Sequence, residues 1–250
     1  MSPLVSVIMP CYNAERYVKE AVQSVFDQTL RSWELIVVDD GSTDGSPAIL
    51  RELAAQEPRM RVITRSTPSG SPAVPRNEGT DAATGQYIAF LDSDDRWLPD
   101  KLMHQCYLMH TTTADIVYSN YEKTDARGTR AGRVITAPET ATFRQLMRGN
   151  YIACSTVIYN TYTLGKRYFP QIGHEDFCCW LTMLRDGYVA YNTNTVEMLY
   201  RISDTSVSHN KLRTVAWTWH ILRREQGLPL LTAIYCLISH LAKATMKKLN

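Results

Sequence analysis

None of the six cysteines, Cys11, Cys106, Cys154, Cys178, Cys179 and Cys236, takes part in a Cys-x-x-Cys spacing, and two of them are adjacent. That pattern fits neither a zinc cluster nor a disulfide framework, so reduced, buried thiols are expected. Long hydrophobic runs are also missing. The most apolar stretch, residues 228–242, has about 15 residues, Ser239 and His240 among them, against the ~20 that a spanning helix needs. A strand-like segment begins at residue 4, which leaves no room for a signal peptide. A cytoplasmic location is therefore expected. No internal repeat or low-complexity tract occurs. What remains, at 44% hydrophobic and 21% charged residues over 250 positions, is an ordinary globular composition with enough apolar mass for a sizeable core. It suits one large domain, or one domain with a smaller appendage.

The net charge of +2 conceals an uneven distribution. Residues 211–250 hold seven Lys/Arg against one Glu, a net of +6, so residues 1–210 carry −4. A mildly acidic body with a basic tail suggests an anionic surface as the tail's partner. Trp217 and Trp219 with Arg223, Arg224, Lys243, Lys247 and Lys248 can form an amphipathic, interfacial segment. An ordinary packed helix pair with a solvated basic end accounts for the same residues, and both readings stay open. Nucleic acid is not an expected partner.

The first half alternates strands and helices. Residues 4–9, 35–38, 61–64 and 86–91 read as buried strands. Asn13 is placed to cap a helix whose Tyr17, Val18, Ala21, Val22, Val25 and Phe26 share one face. Ser46 and Pro47 mark a helix over 47–56. A Pro/Ser/Gly loop over 66–75 precedes a helix over 76–83. This order predicts a mostly parallel α/β sheet with helices on both faces. Beyond it, 115–120, 155–159 and 188–200 have strand character, and 121–135 suits a hairpin or a flexible loop. A helix begins near His174, with Phe177, Trp180, Leu181 and Leu184 on one face. The charge shift suggests a boundary near residue 210.

Two acidic clusters follow strands: Asp39-Asp40, and Asp92-Ser93-Asp94-Asp95. In open parallel sheets, ligands bind beyond the carboxyl ends of the strands. Carboxylates there repel phosphates, but they accept hydrogen bonds from a base or ribose and they hold hard cations. Mg²⁺ and Mn²⁺ favour oxygen ligands and are commonly shared between carboxylates and substrate phosphates. Asp and Ser are also frequent turn residues, and either cluster alone is open to that plainer account. Two clusters on one sheet favour function.

Four stretches occur in order: Val5-Ser6-Val7-Ile8-Met9-Pro10-Cys11-Tyr12-Asn13; Val37-Val38-Asp39-Asp40-Gly41-Ser42-Thr43-Asp44; Arg76-Asn77-Glu78-Gly79; and Tyr87 to Asp95. Together they resemble the motifs of family 2 glycosyltransferases, inverting enzymes with the GT-A fold, of the bacterial surface-polysaccharide type. The resemblance is dense over residues 4–110 and resumes at Gly173-His174-Glu175-Asp176. It implies a UDP-sugar donor, with Pro10, Tyr12, Asn13 and Asp39 about the nucleoside, Arg76 near the base or diphosphate, and Asp92 and Ser93 near the ribose. Asp94 would ligate Mn²⁺ or Mg²⁺, and Asp95 would hold the turn. The acidic pair Glu175-Asp176 would supply the base that deprotonates the acceptor. Adjacent helical residues point about 100° apart, which favours Asp176 as the base and turns Glu175 away from the buried face in a supporting role. Apart from the resemblance, both also read as helix-start carboxylates favoured by the helix dipole.

Residues 200–208 resemble the family's closing motif, but Ser203 stands where a His is usual. Arg201 could offset phosphate charge in its stead, and His209 is read as incidental. Cys178, Cys179 and Trp180 are read as core. The implied reaction is metal-dependent transfer of a sugar to a saccharide hydroxyl in cell-envelope polysaccharide synthesis, the acceptor being free or polyprenyl-diphosphate-linked. Residues 1–120 would form the nucleotide-sugar half, 121–210 the acceptor half with acceptor choice in 121–169, and 211–250 the tail. The tail would allow peripheral attachment to the inner face of the cytoplasmic membrane. A nucleotidyltransferase on a related fold is an alternative, though it would bring a Gly-rich basic loop after the first strand, which residues 10–14 lack. A non-catalytic nucleotide-sugar binding module is another; the intact acidic sets argue against it.

Overall fold

The structure is a computed structural model that describes residues 3–112, 114–202 and 211–249. In chain order the elements are β1 (Val5–Cys11), α1 (Val18–Phe26), β2 (Trp33–Asp39), α2 (Ser46–Gln56), β3 (Met60–Thr64), α3 (Ala73–Ala82) and β4 (Tyr87–Phe90). There follow β5 (Arg96–Trp97), α4 (Lys101–Thr112), β6 (Ile116–Thr124), β7 (Arg130–Ile135), β8 (Thr140–Ala141) and α5 (Phe143–Leu146). A 3-10 turn at Cys154–Thr156 leads to β9 (Ile158–Asn160), α6 (Thr161–Leu164), α7 (Glu175–Arg185) and β10 (Ala190–Arg201). The C-terminal segment contributes α8 (Lys211–His220), a π turn at Ile221–Glu225 and α9 (Leu230–Leu249).

The strands form one sheet in the order β3-β2-β1-β4-β9-β6-β10-β5, with β7 on β6 and β8 on β10. From β3 to β4 every pairing is parallel, and β6 is parallel to β10. Between these halves β9 runs antiparallel to both β4 and β6. Alternation along the strands sends side chains to two separate cores. Ile8, Ile36, Val38, Ile88 and Phe90 meet α7 on one face, whereas Val7, Met9, Leu35, Val37 and Ala89 meet α1, α2 and α4 on the other. Helices thus cover both faces of a mostly parallel sheet, as the order of elements in the sequence predicts.

Local differences from the sequence reading have identifiable causes. Asn13 does not cap α1. It sits at φ +48°, and its Oδ1 accepts from the Thr43 amide at 2.8 Å, tying the β1 loop to the loop after β2. Helix α3 starts three residues before Arg76, at Ala73, because Pro72 is tolerated at a helix start. Residues 121–135 form a hairpin, the β6–β7 pair. Gly79 permits the close approach of α3 to β1, since a Cβ there would lie 2.5 Å from Ile8 Cγ2. All six cysteines are free and buried.

The segment after residue 210 is not a separate body. Ile221, Leu222, Leu228, Ala233 and Cys236 are buried in the same core as Phe90, Phe177 and Trp180. Ser203 and His209 lie outside the described residues.

Candidate active site

Strand β4 ends at Phe90, and the chain turns at once through Asp92, Asp94 and Asp95. The turn is held from beneath. Asp95, 2% exposed, accepts from Ser155 Oγ at 2.7 Å and from the Arg201 amide at 3.1 Å. The Ser155 hydroxyl also accepts from the Asp92 amide at 3.1 Å. Arg201 Nε donates to the Asp94 carbonyl at 2.9 Å, while its other nitrogens reach the Ala126 carbonyl and Glu20 Oε2. Arg201 therefore supports the turn from behind, with each of its three guanidinium nitrogens donating a hydrogen bond. Burial, then the neighbouring acids Asp94 and Asp92, raises the Asp95 carboxyl well above the usual carboxylate range.

Above this turn opens a cleft of about 680 Å³, lined in part by Asp92, Asp94, Arg76, Glu175 and Asp176. Arg76 is its central cation. From α3, buried to 4% exposure, it donates to Asp92 Oδ1 at 2.6 Å and to Glu175 Oε1 at 2.5 Å. Burial works against its charge, but Asp92 and Glu175 outweigh that and hold its pKa well above the usual guanidinium value. The neighbouring motif residue Asn77 is structural. It exchanges two hydrogen bonds with the Phe169 backbone, at 2.8 and 2.9 Å, and so seats Phe169 under the Arg76 guanidinium.

Helix α7 delivers the acidic pair. His174 precedes it in the left-handed region at φ 57°, swinging the chain so that Glu175 and Asp176 both enter the cleft at the helix N-terminus. The expectation that Glu175 turns away is corrected here. Its side chain is only 14% exposed because Arg76 draws it inward, and in the first turn of a helix the preceding loop sets direction more than helical spacing does. Asp176 Oδ1 accepts the Phe177 amide at 2.7 Å. Burial, then the charge of Glu175 beside it, pushes the Asp176 carboxyl up to about 7. Burial and Asp92 push Asp94 up to about 6.

The remaining sequence-expected residues sit one strand over. Pro10 and Asp39 are near neighbours at the ends of β1 and β2, away from the cleft lining. Asp39 Oδ1 accepts from the Ser42 amide at 3.1 Å, but its buried Oδ2 has no hydrogen-bond partner among the described residues. Asp40 accepts from Ser69 and pairs with Arg65, fixing the loop after β3. Tyr12 is 51% exposed beside this ledge. Ser93 is half-buried in the acidic turn and does not line the cleft.

Sequence reasoning missed several lining residues. Trp217 and Arg213, on α8, wall the cleft mouth. The indole of Trp217 packs edge-on to His174 at 5.3 Å between centroids. It also lies so close to Gly173 that a Cβ there would be 2.0 Å from the ring. The Arg213 guanidinium sits 4.9 Å over the same ring. Their signal was present as aromatic and basic residues, yet their sequence distance from the motifs assigned them to the tail. Ser155 carried no signal at all. Among the described residues, no three His, Cys, Asp or Glu side chains gather into a metal-binding group. Asp92 and Asp94 offer oxygen ligands only.

A parallel half-sheet ending in an acidic turn, faced across a cleft by two carboxylates at a helix start, defines a GT-A glycosyltransferase. More narrowly, the chain belongs to glycosyl transferase family 2, whose pattern matches residues 6–186. It is 36% identical over 248 residues to TuaG of Bacillus subtilis (strain 168), a glycosyltransferase assigned to teichuronic acid biosynthesis; the match covers 99% of this chain and 98% of that protein. It is 34% identical over 239 residues to WfgD of Escherichia coli, covering 95% and 92%. WfgD is a UDP-Glc:alpha-D-GlcNAc-diphosphoundecaprenol beta-1,3-glucosyltransferase. The fold matches that of S. aureus TarS 1–349 in complex with UDP-GlcNAc, with a TM-score of 0.72 at 23% identity over 95% of this chain and 71% of that one. It also matches a Pyrobaculum calidifontis mannosyltransferase in complex with GDP-Man and Mn²⁺, with a TM-score of 0.71 at 19% identity, covering 95% and 70%.

Proposed function

We propose that the protein is a metal-dependent inverting glycosyltransferase that moves a sugar from a UDP-sugar to a hydroxyl of a lipid-linked saccharide in cell-envelope polysaccharide synthesis. The observation that carries this reading is Asp176, a cleft carboxylate raised to about 7 and without an ion-pair partner among the described residues, as a general base working near neutral pH requires. Glu175 is neutralised by Arg76 and acts as its support. The lipid-linked acceptor is supported by the activity of WfgD, and the polysaccharide role by the biosynthetic assignment of TuaG. A uridine donor is supported by the UDP-Glc dependence of WfgD, 34% identical to this chain.

In this reading the ledge of Pro10, Tyr12, Asn13 and Asp39 takes the nucleoside, and the unpartnered Asp39 Oδ2 accepts an N–H from the base. Asp92 faces the ribose, with Arg76 fixing its carboxylate, and Ser93 serves the donor only through the turn it shares with Asp92. Arg201 serves the donor indirectly, through the Asp94 carbonyl it holds. Asp94, with Asp92 beside it, would hold Mn²⁺ or Mg²⁺ together with donor phosphate oxygens. That hard, all-oxygen ligand set fits these ions. When bound, the cation offsets the charge that develops on the departing diphosphate. Asp176 accepts the proton of the acceptor hydroxyl as its oxygen bonds to the anomeric carbon. The bond to the diphosphate breaks on the opposite face, and the configuration inverts.

A paired experiment tests the assignment. Asp176→Asn should retain UDP-sugar binding and lose about 10²–10⁴-fold in transfer, the range of a general base. Asp94→Ala should lose Mn²⁺-dependent donor binding in calorimetry. Near-wild-type turnover of Asp176→Asn would move the base to Glu175, and undiminished Mn²⁺-dependent affinity of Asp94→Ala would remove its metal role. A panel of nucleotide sugars in the same assay identifies the donor.

A further inference from the structure

Helix α9 has two dissimilar faces. Ala233 and Cys236 enter the core, His240 Nε2 lies 3.0 Å from the Met147 carbonyl, and Ser239 Oγ donates to the Arg148 carbonyl at 2.8 Å. The opposite face is apolar yet exposed: Leu230, Leu231, Ile234, Tyr235, Ile238 and Leu241, with Leu231 80% and Ile238 60% accessible. Positions 231, 234, 238 and 241 follow the three- and four-residue steps that form one stripe along a helix. Globular proteins rarely leave so continuous an apolar stripe to water without using it. At 20 residues the helix is about 30 Å long. No described helix is long and apolar enough to cross a membrane.

The charge beside the stripe is mostly positive, Glu225 next to Arg224 being the one acid of residues 211–250. The exposed Arg148 guanidinium sits 5.4 Å over the Tyr235 ring, the exposed Lys243 packs on Gly149, and Arg224 is exposed just before the helix. From Gln226 to Asn250 the chain has no Asp or Glu, while Lys247 and Lys248 add to its positive charge. An apolar stripe flanked by bases is the arrangement that seats a helix in the plane of an anionic bilayer, stem carbons inward and charges at the headgroups. A second copy of the chain would suit the surface poorly, because a two-fold contact would bring like charges together.

We infer that the exposed face of α9 docks on an anionic lipid surface and lies in its interface. The location matters for the cleft. The segment that α9 packs against, Met147–Gly149, continues directly into Asn150–Cys154, which line the cleft, and α8 supplies Trp217 and Arg213 to the same opening. Docking therefore brings the cleft alongside the bilayer, where the diphosphate of a lipid-linked acceptor lies; this last step alone rests on the function proposed above.

The test is co-flotation of the full chain with vesicles of equal parts phosphatidylcholine and phosphatidylglycerol, and with phosphatidylcholine alone. Wild type should float with the anionic vesicles, and raising the salt should weaken that binding. Leu231→Glu with Ile238→Glu should lower it at least about tenfold, since two exposed apolar side chains that would enter the bilayer interface become charged, with circular dichroism and melting unchanged. Arg148→Glu with Lys243→Glu should lower binding to the anionic vesicles only. Equal flotation of wild type and the Leu231/Ile238 variant overturns the inference. So does a concentration-dependent dimer that this variant dissociates while wild type fails to float. Transfer to a short, water-soluble acceptor should be the same for wild type and this variant. Failure of transfer in both would count against the proposed function, while the flotation result still decides the docking.

Discussion

Glu175 and Asp176 are neighbours in the chain, but their electrostatic surroundings differ. Glu175 gives its charge to Arg76, whereas Asp176 forms no ion pair among the described residues. Adjacent carboxylates with divergent environments are how one site assigns separate roles to chemically similar groups. Because burial and Glu175 raise Asp176 to about 7, its proton-accepting form is scarce below that pH. The value of kcat/KM should rise about tenfold per pH unit toward neutrality and level above about 7. A flat profile between about pH 5.5 and 8 would remove Asp176 from the proton transfer. The same raised pKa has the opposite sign for stability: the folded state holds the proton more tightly than the unfolded chain, so this contribution is present in acid and is lost as pH rises through about 7. Asp176→Asn should therefore gain melting temperature over wild type at about pH 8 relative to about pH 5.

At the scale of the element, the acidic turn after β4 is stable only because other segments satisfy it. Ser155, in the 3-10 turn before β9, and Arg201, at the end of β10, together satisfy Asp95 and the turn backbone. The crowded charges face the cleft, while their supports stand behind. Removing one support should cost more than a surface change. Ser155→Ala strips a buried hydrogen bond from Asp95 and the acceptor from the Asp92 amide, so thermal stability should fall by about 1–3 kcal/mol. Donor affinity should fall with it, as the Asp92–Asp94 spacing loosens; calorimetry and thermal melting read both effects. A Ser155→Ala protein with wild-type melting and donor affinity would show that the turn holds itself.

At the scale of the molecule, the C-terminal segment belongs to the body. Five of its apolar side chains, Ile221, Leu222, Leu228, Ala233 and Cys236, are buried against the face of the sheet that carries α7. Burying one large aliphatic side chain is worth about 1.5–3 kcal/mol, and whole domains are stable by only about 5–15 kcal/mol. Truncation after residue 202 should therefore give a protein that binds hydrophobic dyes and aggregates. A monomeric, cooperatively melting product would show that residues 1–202 fold alone.

The parallel half of the sheet was legible in the sequence because its strands are continuous apolar runs closed by polar turns. Period and punctuation are local properties, and β1 to β4 came out near their expected limits. Residue types were legible in part: the carboxylates after β4 stood out by their position, whereas those at the start of α7 were identifiable only through the family resemblance. The antiparallel insertion of β9 between β4 and β6 was not, since three residues of strand carry no sign of their partners. Nor was the inward turn of Glu175, which depends on an ion pair spanning 99 positions. The charge change near residue 210 suggested a boundary, whereas the core runs through it, because burial follows side-chain packing and not net charge. Sequence alone thus determined the parallel framework and the chemistry available to it, through patterns only a few residues long. Tertiary structure decided which carboxylate keeps its charge, what supports the acidic turn and which face of α9 meets water, because each of these depends on partners distant in the chain.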